Sequence, residues 1–238
     1  MSKNVIIDGA SSGIGEALAL EFAKQGYRIG ITARRGEKLH AIKTKAPPAL
    51  HILESDVTKE QAIADLERLV ETLGGLDLFV FSAGVGYLNN ALEYGLENKT
   101  NQLNVIAFTK IINWAMHFFQ NQGRGHLVNI SSVAKHRGSR NAPAYNASKA
   151  YQANYLEGLH QKMFSEKRPI FITDIRPGFV DTAMAQGDGL FWVANKAKAA
   201  RQIYRAIKKK KTVAYITKRW VFIGLLLALL PKAVYKRL

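Results

Sequence analysis

The sequence predicts an α/β fold: one domain built on a doubly wound, seven-stranded parallel sheet with helices on both faces. Three observations predict it. Short apolar runs rich in Val, Ile and Phe alternate with longer amphipathic stretches between about residues 4 and 217, as strands joined by helical crossovers do. Such crossovers are right-handed, which wraps helices onto both sides of the sheet. The glycine-rich and polar positions cluster directly after strands, where open α/β sheets bind ligands.

The elements follow in order. VIID (5–8) reads as a strand, and IGEALALEFAKQG (14–26) as an amphipathic helix stopped by Gly26. YRIGITA (27–33) is a second strand. EKLHAIKTKA (37–46) is helical and stops before Pro47-Pro48. HILESD (51–56) is a third strand, followed by a helix over 59–74 and a strand over 76–84. A long helix is expected over 97–121, then a strand over 126–132. A helix over 144–164, a strand over 169–178, a helix over 196–211 and a last strand over 212–217 complete the domain. No repeat, low-complexity linker or boundary precedes residue 218, so the division is a 1–217 domain and a 218–238 segment.

Composition excludes several classes. The 238 residues suit one large core. There is no cysteine, so disulfides and thiolate metal sites are excluded and a reducing compartment fits. His40, His51, His117, His126, His136 and His160 show no metal-ligand spacing, and no metal is expected. The opening MSKNVIIDGA breaks at Asp8 and is no signal peptide, so a cytoplasmic protein is expected. The net charge of +16 is uneven. Residues 189–238 hold thirteen Lys or Arg and no Asp or Glu, leaving 21 basic and 18 acidic side chains before them.

At the first strand's end stands Gly9-Ala-Ser11-Ser12-Gly13-Ile14-Gly15, with a helix after it. Glycines let backbone amides approach a pyrophosphate, and a helix N-terminus favours the anion. This is a Rossmann-like arrangement, although a tight turn without ligand has the same composition. The second strand ends in Arg34-Arg35 without the carboxylate that would hold a ribose 2′-hydroxyl. A guanidinium there holds a 2′-phosphate, which favours NADP(H); both arginines also fit as surface charges. Asp56-Val57 follows the third strand, where an adenine edge would be contacted.

The glycine spacing, together with Tyr145-Asn-Ala-Ser-Lys149 and with Ser132 thirteen residues before Tyr145, resembles the short-chain dehydrogenase/reductase family over about residues 3 to 217. Tyr145 and Lys149 are four apart on the expected helix and share a face. A neighbouring ammonium, together with the positive nicotinamide ring of an oxidised cofactor, favours the phenolate and lowers a tyrosine's pKa. The resemblance implies that Tyr145 handles the proton of a carbonyl/alcohol pair and that Lys149 bonds the nicotinamide ribose. It implies that Ser132, rather than Ser131, holds the substrate oxygen. It makes Asn104 the anchor of a water linked to the lysine. By the same resemblance Ala83 and Gly84 line the cofactor, Pro177 and Gly178 pack by the nicotinamide, and Thr182 bonds its carboxamide. The implied activity is NADPH-dependent reduction of a carbonyl on a small molecule by a homodimer or homotetramer, assembled through the helices near 97–121 and 144–164. An NADP(H)-binding sensor without turnover is the alternative. Three positions depart from the family: Asp8 for the usual Thr, and Phe81-Ser82 for the usual Asn-Asn.

Two readings concern the rest. Met184, Leu190, Phe191, Trp192 and Val193 stand where the family's substrate lid lies; they suggest an apolar or lipid-like substrate, or lid-to-core packing. Lys208–Lys211 and the apolar run Trp220–Leu230 with its basic flanks fit an anionic membrane surface contacted through 208–238, a helix packed on the fold or a partner subunit, or a solvated tail. The apolar run is about half the roughly 20 residues that span a bilayer. Leu-rich surface offers no base stacking, which disfavours nucleic acid.

Overall fold

A computed structural model describes residues 3–46, 49–185 and 191–237. Among them, seven parallel strands form one sheet in the order β3-β2-β1-β4-β5-β6-β7. The strands are β1 (Asn4–Asp8), β2 (Arg28–Ala33), β3 (Leu50–Glu54), β4 (Leu78–Phe81), β5 (Gly125–Ile130), β6 (Ile170–Pro177) and β7 (Val213–Ile216). The helices are α1 (Gly13–Lys24), α2 (Gly36–Lys43), α3 (Ala62–Leu73), α4 (Tyr94–Asn101), α5 (Phe108–Gln122), α6 (Pro143–Ser165), α7 (Lys196–Lys208), α8 (Trp220–Leu229) and α9 (Lys232–Tyr235). The expected doubly wound sheet is present.

Side chains of successive strand residues point to opposite faces, and the core divides accordingly. Val5 and Ile7 of β1 pack with Leu18 and Phe22 of α1, Leu39 of α2 and Ile203 of α7. Ile6, between them, packs on the other face with Leu69 of α3, Phe108 and Phe119 of α5 and Leu156 of α6. The strand order reverses between β1 and β4, whose residues Val5 and Leu78 are in register. That reversal opens the crevice in which doubly wound sheets bind ligands.

The long helix expected over 97–121 is not uniform. A π-helical stretch at Gln102–Ala107 separates α4 from α5, and the apolar periodicity on either side hides it from the sequence. The strand expected over 126–132 stops at Ile130, leaving Ser131 and Ser132 beyond it. Ser132 then caps a short 3-10 turn at Val133–His136 by accepting the Ala134 amide at 3.1 Å. The Pro47-Pro48 stop and Leu190 of the expected lid lie outside the described residues.

The 218–237 segment is docked rather than loose. Trp220 is buried, with its ring 5.3 Å from Phe179 and 5.1 Å from Phe191. Arg137 donates to the Leu227 and Leu230 carbonyls at the end of α8. Lys208–Lys211 stands at the amino end of β7 and α8 follows its carboxyl end. The basic run and the apolar helix are therefore separated by the length of a strand.

Candidate active site

The glycine turn is shaped by close backbone contacts. Gly9 has φ of 81°, and a Cβ on it would lie 2.3 Å from the Ala83 nitrogen. A Cβ on Gly15 would lie 2.4 Å from the Gly9 carbonyl oxygen. Only glycine meets both demands. Gly13 has φ of 64°, and Thr182 comes back over it, its Cγ2 3.2 Å from where a Cβ would stand. Ser12 precedes α1 without a side-chain cap, so the first amides of α1 keep their anion-binding character. Ser11 and Ile14 complete the turn. These features fit a dinucleotide's pyrophosphate.

The two arginines part company. Arg35 donates from Nε and Nη2 to Ser11 Oγ at 3.2 and 2.8 Å, and from Nη2 to Ser12 Oγ at 2.9 Å. Arg34 lies instead on the Asp56 side. Burial works against the Asp56 charge, but hydrogen bonds from Thr58 and the charges of Arg34 and Lys59 prevail and hold its pKa low. Val57 beside it is buried. Arg34, expected to hold a 2′-phosphate, thus stands by Asp56 at the expected adenine edge, and Arg35 stands at the glycine turn.

Asp8 lies beneath the turn, fully buried. Thr32 Oγ1 donates to its Oδ1 at 2.5 Å, while Oδ2 has no partner. Burial pushes its pKa up to about 7, against hydrogen bonds from Thr32 and Gly9, and Asp56 adds repulsion. Its carbonyl accepts the Ser82 amide at 2.8 Å, and Phe81 turns into the core against Phe108, 5.5 Å between centroids. The departures from the family pattern thus fall in the floor of the turn, away from Tyr145.

The chemical residues converge from β4, β5, the π-helical stretch and α6. Tyr145 is half-buried, its ring pressed against Gly86, where a Cβ would come within 2.7 Å of Cδ2. Burial raises the phenol's pKa, and a hydrogen bond with Ser132 opposes this. Lys149 is buried and its Nζ lies 5.9 Å from the Tyr145 ring centroid. It donates to the Ile130 carbonyl and to Gln152 Oε1, both at 3.1 Å. Burial lowers its pKa to about 8, and the Asp174 charge opposes the shift. Within the chain itself burial outweighs the influences that lower the phenol's pKa. Desolvation of the phenol dominates, and the ammonium is directed at Ile130 and Gln152.

Asn104 is fully buried. Its Oδ1 accepts the Val85 amide at 3.0 Å, and its Nδ2 donates to the Val85 carbonyl at 2.7 Å and to Ser148 Oγ at 3.0 Å. Its backbone carbonyl accepts Gln152 Nε2 at 2.9 Å. Lys149 and Asn104 are therefore bridged by Gln152, which the sequence reading missed. Its place one turn after Lys149 on α6 was the available signal. Gly84 gives the space: a Cβ there would stand 3.5 Å from both Lys149 Nζ and Asn104 Oδ1. Ser131 is committed elsewhere, donating to Asp174 Oδ1 and bonding the Ile175 carbonyl, so Ser132 is the serine turned towards Tyr145. Pro177 ends β6, and Gly178 lies under Trp220, 2.0 Å from its Cε2 if a Cβ were added. Among the described residues no cluster of side chains could hold a metal ion.

A doubly wound parallel sheet, a glycine turn over the first helix and a Ser–Tyr–Lys group at the strand ends define a Rossmann-type oxidoreductase. The chain belongs to the short chain dehydrogenase family, which it matches over residues 3–190. An uncharacterized oxidoreductase of Myxococcus xanthus is 34% identical over 188 residues, covering 76% of this chain and 74% of that protein. The solved structure of ElxO with NADP bound is 25% identical, covers 91% of this chain and 97% of its own, and superposes with a TM-score of 0.78. A short chain dehydrogenase/reductase from Burkholderia phymatum in complex with NAD shares the fold at 17% identity, with a TM-score of 0.83, covering 94% of this chain and 92% of that one.

Proposed function

We propose that this protein reduces a ketone or aldehyde to an alcohol with NADPH. The observation that carries the reading is the convergence of Ser132, Tyr145 and Lys149 beside a glycine turn whose serines hold Arg35. Bound NADPH supplies a hydride to the carbonyl carbon. The Tyr145 phenol donates its proton to the carbonyl oxygen, and its raised pKa keeps it protonated at neutral pH. Ser132 Oγ donates a hydrogen bond to the same oxygen and fixes it against the phenol. Lys149, with its pKa near 8, is largely an ammonium at pH 7 and stabilises charge left on Tyr145. Gln152 joins that ammonium to the Asn104 carbonyl and so fixes Lys149 beside Tyr145.

The preference for NADPH rests on Arg34 beside Asp56, on Arg35 at Ser11 and Ser12, and on the absence of a carboxylate at the end of β2. The ElxO structure, with NADP bound, supports it. An apolar substrate is supported by Met184, Trp192 and Val193, which are exposed in the segment after Thr182; Phe191 is partly accounted for by its packing on Trp220. We read the protein as cytoplasmic. The homo-oligomer forms through α5 and α6, where Tyr151 and Tyr155 stack at 5.9 Å and Tyr151 faces outward.

NADPH consumption across a panel of aliphatic and aromatic ketones tests the reading. Tyr145→Phe lowers kcat by about 10²- to 10⁴-fold while NADPH binding by fluorescence is retained. Equal turnover in wild type and Tyr145→Phe would refute the mechanism. Tight NADPH binding with no turnover on any carbonyl would favour a cofactor sensor.

A further inference from the structure

α8 is apolar around its whole circumference, yet the protein covers only one side of it. Trp220 packs into the fold. Gly224, one turn on, is so close to His136 and Tyr215 that a Cβ would stand 2.9 Å from His136 Nε2. Arg137 holds the helix's last carbonyls. On the other side, Phe222, Leu225, Leu226 and Leu229 follow the i, i+3, i+4, i+7 pattern of one helical stripe. They are 53% to 81% exposed. Phe191, Trp192 and Val193 are also exposed, and Phe191 and Trp192 pack on Trp220. Lys218 and Arg219 precede α8, and Lys232, Lys236 and Arg237 follow it, all exposed. No acidic residue occurs from 189 to 238.

We propose that this face docks on the surface of an anionic lipid bilayer. A second copy is the poorer occupant, because a two-fold contact would set two rims of cations against each other with no Asp or Glu in the 189–238 segment to pair them. Crossing is excluded for α8 by length. Its ten residues extend about 15 Å, half the hydrocarbon core, and no helix among the described residues is long and apolar enough to span a membrane. Lying in the interface satisfies both features: the Phe/Leu stripe leaves water and the cations stay among headgroups. Arg219, with its guanidinium 4.8 Å over the Trp192 ring, presents an aromatic–cation pair suited to that depth. Lys208–Lys211, at the other end of β7, is not part of the surface.

The position of α8 adds a consequence that rests on the proposed reductase reading. The helix is mounted on the turn that starts at Ser132, through Arg137 and His136, and on Gly178, through Trp220. A docked protein therefore holds the substrate side of its site against the bilayer, and its substrates are long-chain carbonyl compounds that partition into lipid.

Flotation with phosphatidylcholine vesicles, with and without about 30% phosphatidylglycerol, tests the docking. Wild type is expected to float with the anionic vesicles and to be released by high salt. Joint Leu225→Ser, Leu226→Ser and Leu229→Ser substitution is expected to weaken partitioning at least about tenfold. Lys232→Gln and Lys236→Gln each weaken it about fivefold. Circular dichroism and turnover of a water-soluble ketone report whether the variants keep their fold. Failure of wild type to float, or floating unaffected by the serine substitutions, overturns the proposal. So does a wild-type dimer that the serine substitutions convert to monomer, which assigns the face to a second copy. Flotation without turnover on any carbonyl leaves docking supported and refutes the reductase reading instead.

Discussion

Asp8 couples the stability of this protein to pH, and its replacement by asparagine isolates the effect. The carboxyl lies buried under the glycine turn with one oxygen unpartnered and its pKa raised from 3.8 to about 7. At about 1.4 kcal/mol per tenfold change in proton affinity, that shift corresponds to about 4 kcal/mol at most, because relaxation around a buried charge reduces its cost. Below about pH 4 the group is protonated in both states and contributes nothing. Between about pH 4 and 7 the unfolded chain loses this proton while the folded protein keeps it, so stability falls as pH rises. Above about pH 7 the deficit is constant. Asp8→Asn keeps an acceptor for Thr32 Oγ1 and removes the titration. Its stability relative to wild type should therefore rise by up to about 3 kcal/mol between pH 4.5 and 8, whatever constant cost its unpaired amide adds. Urea denaturation of both proteins at four pH values measures this. A difference independent of pH would refute the argument. A charge under the turn also repels a pyrophosphate, so wild-type affinity for NADPH should gain on Asp8→Asn affinity as pH falls from 8 to 6.

Two further outcomes are expected. Arg35→Ala removes a guanidinium held at Ser11 and Ser12 and should weaken NADPH binding about 10- to 100-fold, the worth of charge-assisted hydrogen bonds to a phosphate, with little effect on NADH; an equal loss for both cofactors in titration would contradict its role. Gln152→Leu removes an acceptor from the buried Lys149 ammonium and should lower that lysine's pKa further, moving the alkaline limb of the kcat–pH profile downward, whereas Gln152→Glu should move it upward; parallel losses at every pH would make Gln152 merely structural.

The sheet, its parallel order and the glycine turn follow from the sequence alone, because strand periodicity, helix amphipathicity and glycine placement are local signals with strong steric and solvation causes. Tyr145 and Lys149 were legible for the same reason: their spacing puts both on one face of α6, and Ser132 falls after β5. Tertiary structure decided the rest. Which of Arg34 and Arg35 turns to the glycine loop depends on how β2 leaves the sheet, and adjacent residues at a strand end carry no local signal for it. The direction of the Tyr145 pKa was set by burial against Gly86 rather than by the nearby lysine, and burial belongs to the assembled fold. The Gln152 bridge reaches the Asn104 carbonyl within a π-helical stretch that no local signal announces. The apolar C-terminal run could spell a packed helix or a membrane-facing one. Only its docking through Trp220, Gly224 and Arg137 shows that one side is filled by protein and the other is left uncovered, because the sequence records how apolar a helix is but not how much of it the rest of the chain can reach.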